Sequence, residues 1–192
     1  MERRRILIID AHPDPDPARF VHALAAAYES GAHQHETRHL RLADIDIPIL
    51  RSSHDWTDGA PSADIAAAQA DIAWAEHIVL LYPLWLGDVP ALLKAFLEQV
   101  MRPGFAFRYR EGGLPEKLLE GRSARVVITM GMPAFFYQFY YGAYSARSLE
   151  RNILKFVGIN LVQRTLIGAV EASEARRFYW LRKMEELGSA GA

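Results

Sequence analysis

The chain of 192 residues carries 22 basic and 23 acidic residues, and a net charge of -1 provides no strong field for nucleic acid or an anionic membrane surface. It contains no cysteine, which excludes disulfides, thiolate nucleophiles and cysteine-ligated metal centres. No apolar run approaches the roughly 20 residues of a membrane span, and the first residues resemble a strand more than a signal peptide. We therefore expect one globular domain over residues 1–192, located in the cytoplasm and without a nucleic-acid partner.

The first part of the chain alternates strand and helix patterns. Residues 5–10 form an apolar run typical of a buried strand, and a helix is predicted over 18–28. Residues 35–42 place Glu36, Arg38 and Leu40 on one face and Thr37, His39 and Arg41 on the other, which favours an exposed edge strand over a core strand. An irregular connection over 44–59 then precedes an alanine-rich helix over 61–75.

The strongest pattern lies in the middle of the chain. Residues 78–81 are apolar without interruption, as in a strand buried on both faces, and Pro83 ends this strand because it has no N–H to donate. Asp88 is expected to cap the next helix, whose apolar residues recur at helical spacing up to residue 100. The loop 84–87 therefore lies at the carboxyl end of a central strand, where open α/β sheets bind ligands.

The remaining predicted elements are an irregular aromatic stretch over 103–113, a buried strand over 124–129, a helix over 145–157 ending at Gly158, a strand over 162–170 and a helix from Ser173 to about residue 187. Alternating strands and helices predict an α/β fold, with a parallel sheet covered by helices on both faces. Five strands fit a flavodoxin-like order better than the six-stranded dinucleotide fold, and neither glycine-rich phosphate motif is present.

Three strand-end loops, at 12–20, 83–87 and 129–137, are expected to border one crevice. The first loop precedes a helix N-terminus, where free N–H groups favour an anion, and His12 and Arg19 could add donors to a phosphate. Taken singly, each of these two residues is more often an ordinary surface side chain.

The aromatic residues have two interpretations. Trp85 and Leu86 could pack on a flat ring, or Trp85 could be a core residue. The aromatic runs over 105–109 and 135–144 could line a pocket, form a dimer interface, or do both if the site lies between subunits. We expect no metal site at His33, His35 and His39, because no acidic residue has helical ligand spacing with them.

Several motifs together resemble the NAD(P)H quinone reductase family, which includes DT-diaphorase, the modulator of drug activity B proteins and ancillary subunits of potassium-efflux systems. They are A-H-P after the first strand, Y-P-L-W-L-G-D-V-P-A-L-L-K-A-F over 82–96 and F-A-F-R-Y over 105–109. The resemblance extends from residue 6 to about residue 187.

This resemblance implies a flavodoxin-like fold, a tightly bound flavin and a homodimer with active sites at the interface. It implies two-electron reduction of quinones or similar acceptors by NAD(P)H, through a ping-pong hydride transfer. We expect FAD rather than FMN as the flavin. The alternative is a flavin-binding redox sensor that regulates a membrane potassium-efflux transporter as its partner.

The resemblance and the loop positions assign the site residues. Cofactor-binding residues are expected to be His12, Arg19, Phe20, Pro83, Leu84, Trp85, Leu86, Gly87, Thr129, Met130, Gly131, Met132 and Tyr137. Phe107 and Tyr109 are expected to close the pocket and bind substrate from the second subunit. Catalytic roles are expected for Tyr137 as a donor to the flavin, for Tyr144 as a proton relay and for Trp85 as a wall of the slot above the ring.

The chain departs from the family at several of these positions. Relatives often carry Ser or Thr where this chain has Ala18, Asn where it has Val21, and glycine where it has Met132. The catalytic histidine of DT-diaphorase has no counterpart, and Tyr144 stands roughly in its place. These differences affect the identity of the flavin and of the proton donor.

Overall fold

Strands and helices alternate along the chain in a computed structural model that describes residues 2–192. The strands are β1 (Arg5–Asp10), β2 (Glu36–Arg41), β3 (His77–Pro83), β4 (Phe107–Arg108), β5 (Glu116–Lys117), β6 (Ser123–Thr129) and β7 (Asn160–Ile167). The α-helices are α1 (Phe20–Gly31), α2 (Ser53–Thr57), α3 (Ala63–Trp74), α4 (Ala91–Val100), α5 (Ala134–Phe139), α6 (Tyr144–Ser148), α7 (Lys155–Val157) and α8 (Glu174–Ala190). A 3-10 turn occupies Leu42–Asp44, and a π-helical segment occupies Leu149–Leu154.

Five of these strands form a parallel sheet in the order β2-β1-β3-β6-β7, which is the flavodoxin-like order. The predicted fold class is therefore confirmed. β2 lies at one edge and has no fully buried residue, in agreement with the edge strand predicted over 35–42. β4, inside the stretch 103–113 that we expected to be irregular, forms a separate antiparallel pair with β5, which follows that stretch.

The sheet buries side chains on both of its faces. In β1, Ile6 and Ile8 pack with residues of α1 and α8, whereas Leu7 and Ile9 pack with residues of α3 and α4. Successive side chains of a strand point to opposite faces, so a strand covered on both sides needs apolar residues throughout. This explains the uninterrupted apolar runs in the sequence. None of the helices described for residues 2–192 has the length and apolar character required to cross a bilayer.

Two predicted helix details differ from the structure. Asp88 does not cap α4, because its carboxylate accepts the N–H of Val89 at 2.7 Å and Pro90 occupies the cap position. The helix expected over 145–157 is interrupted by the π-helical segment, although it ends at Gly158 with a φ of 102°, as predicted. Ser173 caps α8 as predicted, with its Oγ accepting the N–H of Arg176 at 3.3 Å.

Candidate functional site

The carboxyl ends of β1, β3 and β6 lie side by side, because these parallel strands are neighbours in the sheet. The Leu84 N–H after β3 donates to the carbonyl of Thr129 in β6 at 2.8 Å. The rings of His12 and Trp85 meet edge to face, with centroids 5.9 Å apart. The structure thus brings the three predicted ligand loops to one edge of the sheet.

The loop after β1 is held by side-chain acceptors two residues apart. Asp10 accepts the backbone N–H of His12 at 3.3 Å, and Nδ1 of His12 accepts the N–H of Asp14 at 3.1 Å. Asp14 and Asp16 continue the series by accepting the N–H groups of Asp16 and Ala18, each at 3.0 Å. Positions 13, 15 and 17 are prolines, which have no N–H to donate. Side chains therefore set the shape of this loop.

His12 is buried and is uncharged in this environment. Because its Nδ1 accepts the N–H of Asp14, the ring proton resides on Nε2. Burial, followed by the nearby His22, lowers the pKa of His12 below its ordinary value. His12 therefore provides one donor, Nε2–H, at the strand-end edge. Its role as a phosphate donor stays a prediction.

Arg19 lies next to α1 and is engaged by two carboxylates. Its guanidinium is 2.6 Å from Asp14 and 3.4 Å from Asp16, so an anion would compete with both for this cation. The N–H of Asp16, and then Arg19, lower the pKa of Asp14. The N–H groups of Phe20 and Val21 in the first turn of α1 have no acceptor among residues 2–192 and remain available to an anion.

Asp10 and His22 were not predicted as site residues. Nδ1 of His22 lies 2.5 Å from the Asp10 carboxylate, and Nε2 lies 2.9 Å from the carbonyl oxygen of Asp14. Asp10 is only 1% exposed. A charged residue that directly follows an apolar strand run was the available signal, because such a group requires a partner once it is buried.

The loop after β3 forms a tight turn with Trp85 at its base. The backbone groups of Trp85 and Asp88 exchange two hydrogen bonds, of 3.0 and 2.9 Å. The two residues at the tip, Leu86 and Gly87, have φ values of 48° and 78°, the signature of a type I′ turn. Trp85 is 47% exposed and Leu86 is fully exposed, so Trp85 is not a core tryptophan.

The loop after β6 is fixed at both ends and open in the middle. The Met130 N–H donates to a β7 carbonyl at 2.9 Å, and the Met132 carbonyl accepts an N–H from the segment after β7 at 3.0 Å. A Cβ added to Gly131 would meet no atom within 4 Å. The backbone at Gly131 is therefore accessible to a closely approaching ligand.

The two tyrosines with predicted catalytic roles differ in environment. Tyr137 is 1% exposed, its hydroxyl lies 2.7 Å from Oγ of Ser145, and it accepts the N–H of Ala146 at 3.2 Å. Its hydroxyl proton is available to a ligand only when Ser145 acts as the donor in their shared bond. Tyr144 is 74% exposed at the start of α6. The roles of both tyrosines stay predictions.

Phe107 and Tyr109 border a cavity of about 570 Å³. Phe107 is buried, with its ring centroid 4.9 Å from that of Phe156, whereas Tyr109 is exposed. The main apolar residues of the lining are Trp56, Leu97, Met101, Phe107, Tyr109 and Phe156. Phe107 thus packs within its own subunit, and Tyr109 is the more accessible of the pair.

A groove of about 480 Å³ adjoins this cavity. The groove is lined by Trp85 and Leu86 on one side and by α6 on the other. Lys94 and Ile153 line both the groove and the cavity. The predicted cofactor loop and the predicted substrate-binding residues are therefore separate in one subunit but lie on the same face of the molecule.

The clustered histidines at the other edge of the sheet have ordinary partners. His39 pairs with Glu29 at 2.8 Å, and Nδ1 of His35 accepts the backbone N–H of Arg4 at 3.2 Å. No group of three or more His, Asp or Glu side chains able to hold a metal ion occurs in the part of the chain that the structure describes.

Three known proteins illustrate what the chain is similar to. FMN-dependent NADH:quinone oxidoreductase 2 of Listeria monocytogenes is 25% identical, over 90% of each chain. The NAD(P)H:quinone oxidoreductase from Methanothermobacter marburgensis superposes with a TM-score of 0.80 at 21% identity, over 100% of each chain. An FMN-dependent NADH-azoreductase from Bacillus anthracis, solved in complex with FMN, gives a TM-score of 0.74 at 19% identity, over 98% of this chain and 99% of the other.

These relatives confirm the resemblance to quinone reductases and correct one prediction. The expected preference for FAD over FMN is wrong, since the Listeria relative and the Bacillus anthracis neighbour are both FMN-dependent. The family model described as a flavodoxin-like fold matches residues 4–186, and the chain therefore belongs to this family.

Proposed function

We propose that this protein is an FMN-dependent NADH:quinone oxidoreductase that works as a homodimer with shared active sites. The observation that carries the proposal is the meeting of His12, Trp85 and the open backbone at Gly131 on one edge of the sheet. The similarity to FMN-dependent NADH:quinone oxidoreductases over nine-tenths of the chain supports the same conclusion.

The residues present fit the two ends of FMN. Nε2–H of His12 and the free N–H groups of Phe20 and Val21 are donors suited to the phosphate. Trp85 and Leu86 provide apolar surface for the ring, and Gly131 leaves backbone accessible to its polar edge. When bound, FMN supplies reversible hydride acceptance, so that two electrons pass from NADH to the acceptor.

The chain's own residues then orient the reactants and move the proton. NADH gives up one hydride, and quinone gains that hydride equivalent and one proton to become hydroquinone. Tyr144 is accessible enough to relay the proton from solvent, and Tyr137 is the proposed fixed donor near the ring. Trp85 and the partner subunit's Tyr109 would exclude water from the slot.

The test is direct. We expect the purified protein to be yellow, to release FMN rather than FAD, and to oxidise NADH rapidly with a soluble benzoquinone. Parallel lines in double-reciprocal plots would support the ping-pong order. A protein that fails to bind FMN on titration contradicts the proposal. Tight FMN binding without significant NADH turnover would instead favour the regulatory alternative.

A further inference from the structure

The pair formed by the buried Asp10 and the partly buried His22 connects three parts of the predicted phosphate site. Asp10 ends β1, and His22 lies in the first turn of α1. The imidazole of His22 spans from the Asp10 carboxylate, 2.5 Å from Nδ1, to the Asp14 carbonyl oxygen, 2.9 Å from Nε2. The end of the strand, the middle of the loop and the start of the helix are thereby joined through one side chain.

We propose that Asp10 and His22 are positioning residues for the phosphate of FMN, an inference that rests on the proposed function. Neither needs to touch the cofactor. They act through the loop that carries His12 and leads to the free N–H groups of α1.

The loop depends on this pair because its backbone makes few hydrogen bonds with itself. From residue 12 to residue 18, every backbone N–H that donates within the protein donates to a side chain. Asp10 accepts the N–H of His12, and His22 holds the carbonyl of Asp14. The pair therefore fixes the backbone on both sides of the His12 side chain, at the N–H of His12 and at the carbonyl of Asp14.

The hydrogen-bond partners of the two ring nitrogens of His22 indicate where the protons of the pair lie. A carbonyl oxygen can only accept, so Nε2 of His22 carries a proton directed at Asp14. One further proton lies between Nδ1 of His22 and the Asp10 carboxylate. Whichever group holds it, the pair has no net charge, and it fixes the loop without adding to the negative charge of Asp14 and Asp16.

The experiment compares FMN with riboflavin, which has the same ring system but no phosphate. We expect His22→Ala to lower FMN affinity about tenfold, as for the loss of a charge-assisted hydrogen bond, while riboflavin affinity stays within about twofold. Asp10→Ala should have the same effect. His22→Asn can retain the contact near Nδ1 and His22→Gln the contact near Nε2, so each should lose less than His22→Ala.

A matched control is available on the same helix. Glu29 of α1 pairs with Nδ1 of His39 at 2.8 Å, far along the helix from the loop. His39→Gln removes a histidine–carboxylate pair from α1 and should leave the ratio of riboflavin to FMN dissociation constants unchanged. Thermal melts of all variants measure any general loss of stability.

Each outcome is decisive. Equal weakening of FMN and riboflavin binding in the His22 variants would show a purely structural role and overturn the inference, as would unchanged affinities for both flavins. If His22→Ala does not fold, the Asn and Gln variants provide the same ratio. Wild-type protein that binds neither flavin would overturn the proposed function together with this inference, and is distinguishable from failure of the inference alone.

Discussion

One buried histidine is expected to affect the protein's stability in acid. His77 of β3 is fully buried, its Nδ1 lies 2.8 Å from Oγ of Ser123, and its Nε2 has no hydrogen-bond partner among residues 2–192. Burial, followed by Arg4 and Arg125, lowers the pKa of His77 to about 4. The ring is therefore neutral in the folded protein, and its protonation opposes folding.

We predict that His77 makes the protein less stable in mild acid. The unfolded chain binds a proton at His77 more readily than the folded protein does. The contribution of neutral His77 to the free energy of unfolding is therefore fully present above pH 6.5 and is lost as the pH decreases toward about 4. The full loss corresponds to about 3 kcal/mol. His77→Asn keeps a nitrogen near Ser123 but does not titrate. The free energy of unfolding, measured with denaturant across this pH range, should therefore depend less on pH in the variant than in the wild type. Parallel pH profiles of the two proteins would contradict the role assigned to His77.

At the scale of elements, the turn from Trp85 to Asp88 holds an exposed leucine in a strained backbone conformation. Leu86 has a φ of 48° and a fully exposed side chain, although an Asn or Gly is preferred at this position of a type I′ turn. A left-handed conformation costs a residue with a Cβ about 1–2 kcal/mol. Such strain is common at ligand-binding sites, in agreement with the proposed contact between Leu86 and the flavin ring.

We predict that Leu86→Asn stabilises the protein and weakens FMN binding. Asn tolerates positive φ, so the free energy of unfolding should rise by about 1 kcal/mol. The loss of apolar contact should reduce FMN affinity severalfold. Leu114→Asn is the control, since Leu114 is 89% exposed but has no positive φ, and it should change neither quantity. Thermal melts measure the change in stability, and FMN titration measures the change in affinity. A destabilised Leu86→Asn variant would contradict the proposed backbone strain at Leu86.

The sequence predicts elements well where the pattern is local. All five strands of the sheet were identified because each is an apolar or alternating run, and the strand-end loops followed from their order. The π-helical segment was missed, because π-helical segments are short and rare and this one continues directly from a helix. The contact between Asp10 and His22 depends on the path of the proline-rich loop, which no residue pattern encodes. The preference for FAD failed because the three loops were assigned to the flavin ring and its adjoining phosphate, which FMN and FAD share, so the residues did not distinguish the two.

At the scale of the whole molecule, one face carries several exposed apolar residues. The groove beside Trp85 and the cavity beside Tyr109 adjoin each other there, and Trp85, Leu86 and Tyr109 are all substantially exposed. Contiguous apolar surface of this kind marks an interaction site. In one subunit Tyr109 and Trp85 line different, adjoining hollows, and in the proposed homodimer the second subunit would bring Tyr109 to the slot beside Trp85.

We predict that the protein is a homodimer formed through this face. Tyr109→Asp would place a charge in the interface, and desolvating an unpaired carboxylate should weaken the dimer about a hundredfold or more. Light scattering over a dilution series should then show monomers at concentrations where the wild type is dimeric. NADH:quinone activity should fall in parallel with the dimer, because each proposed slot is closed by Tyr109 of the partner subunit. Phe178→Ser is the control, since Phe178 is 65% exposed on α8, which covers the opposite face of the sheet. A fully active monomeric variant would show that each subunit forms a complete site by itself.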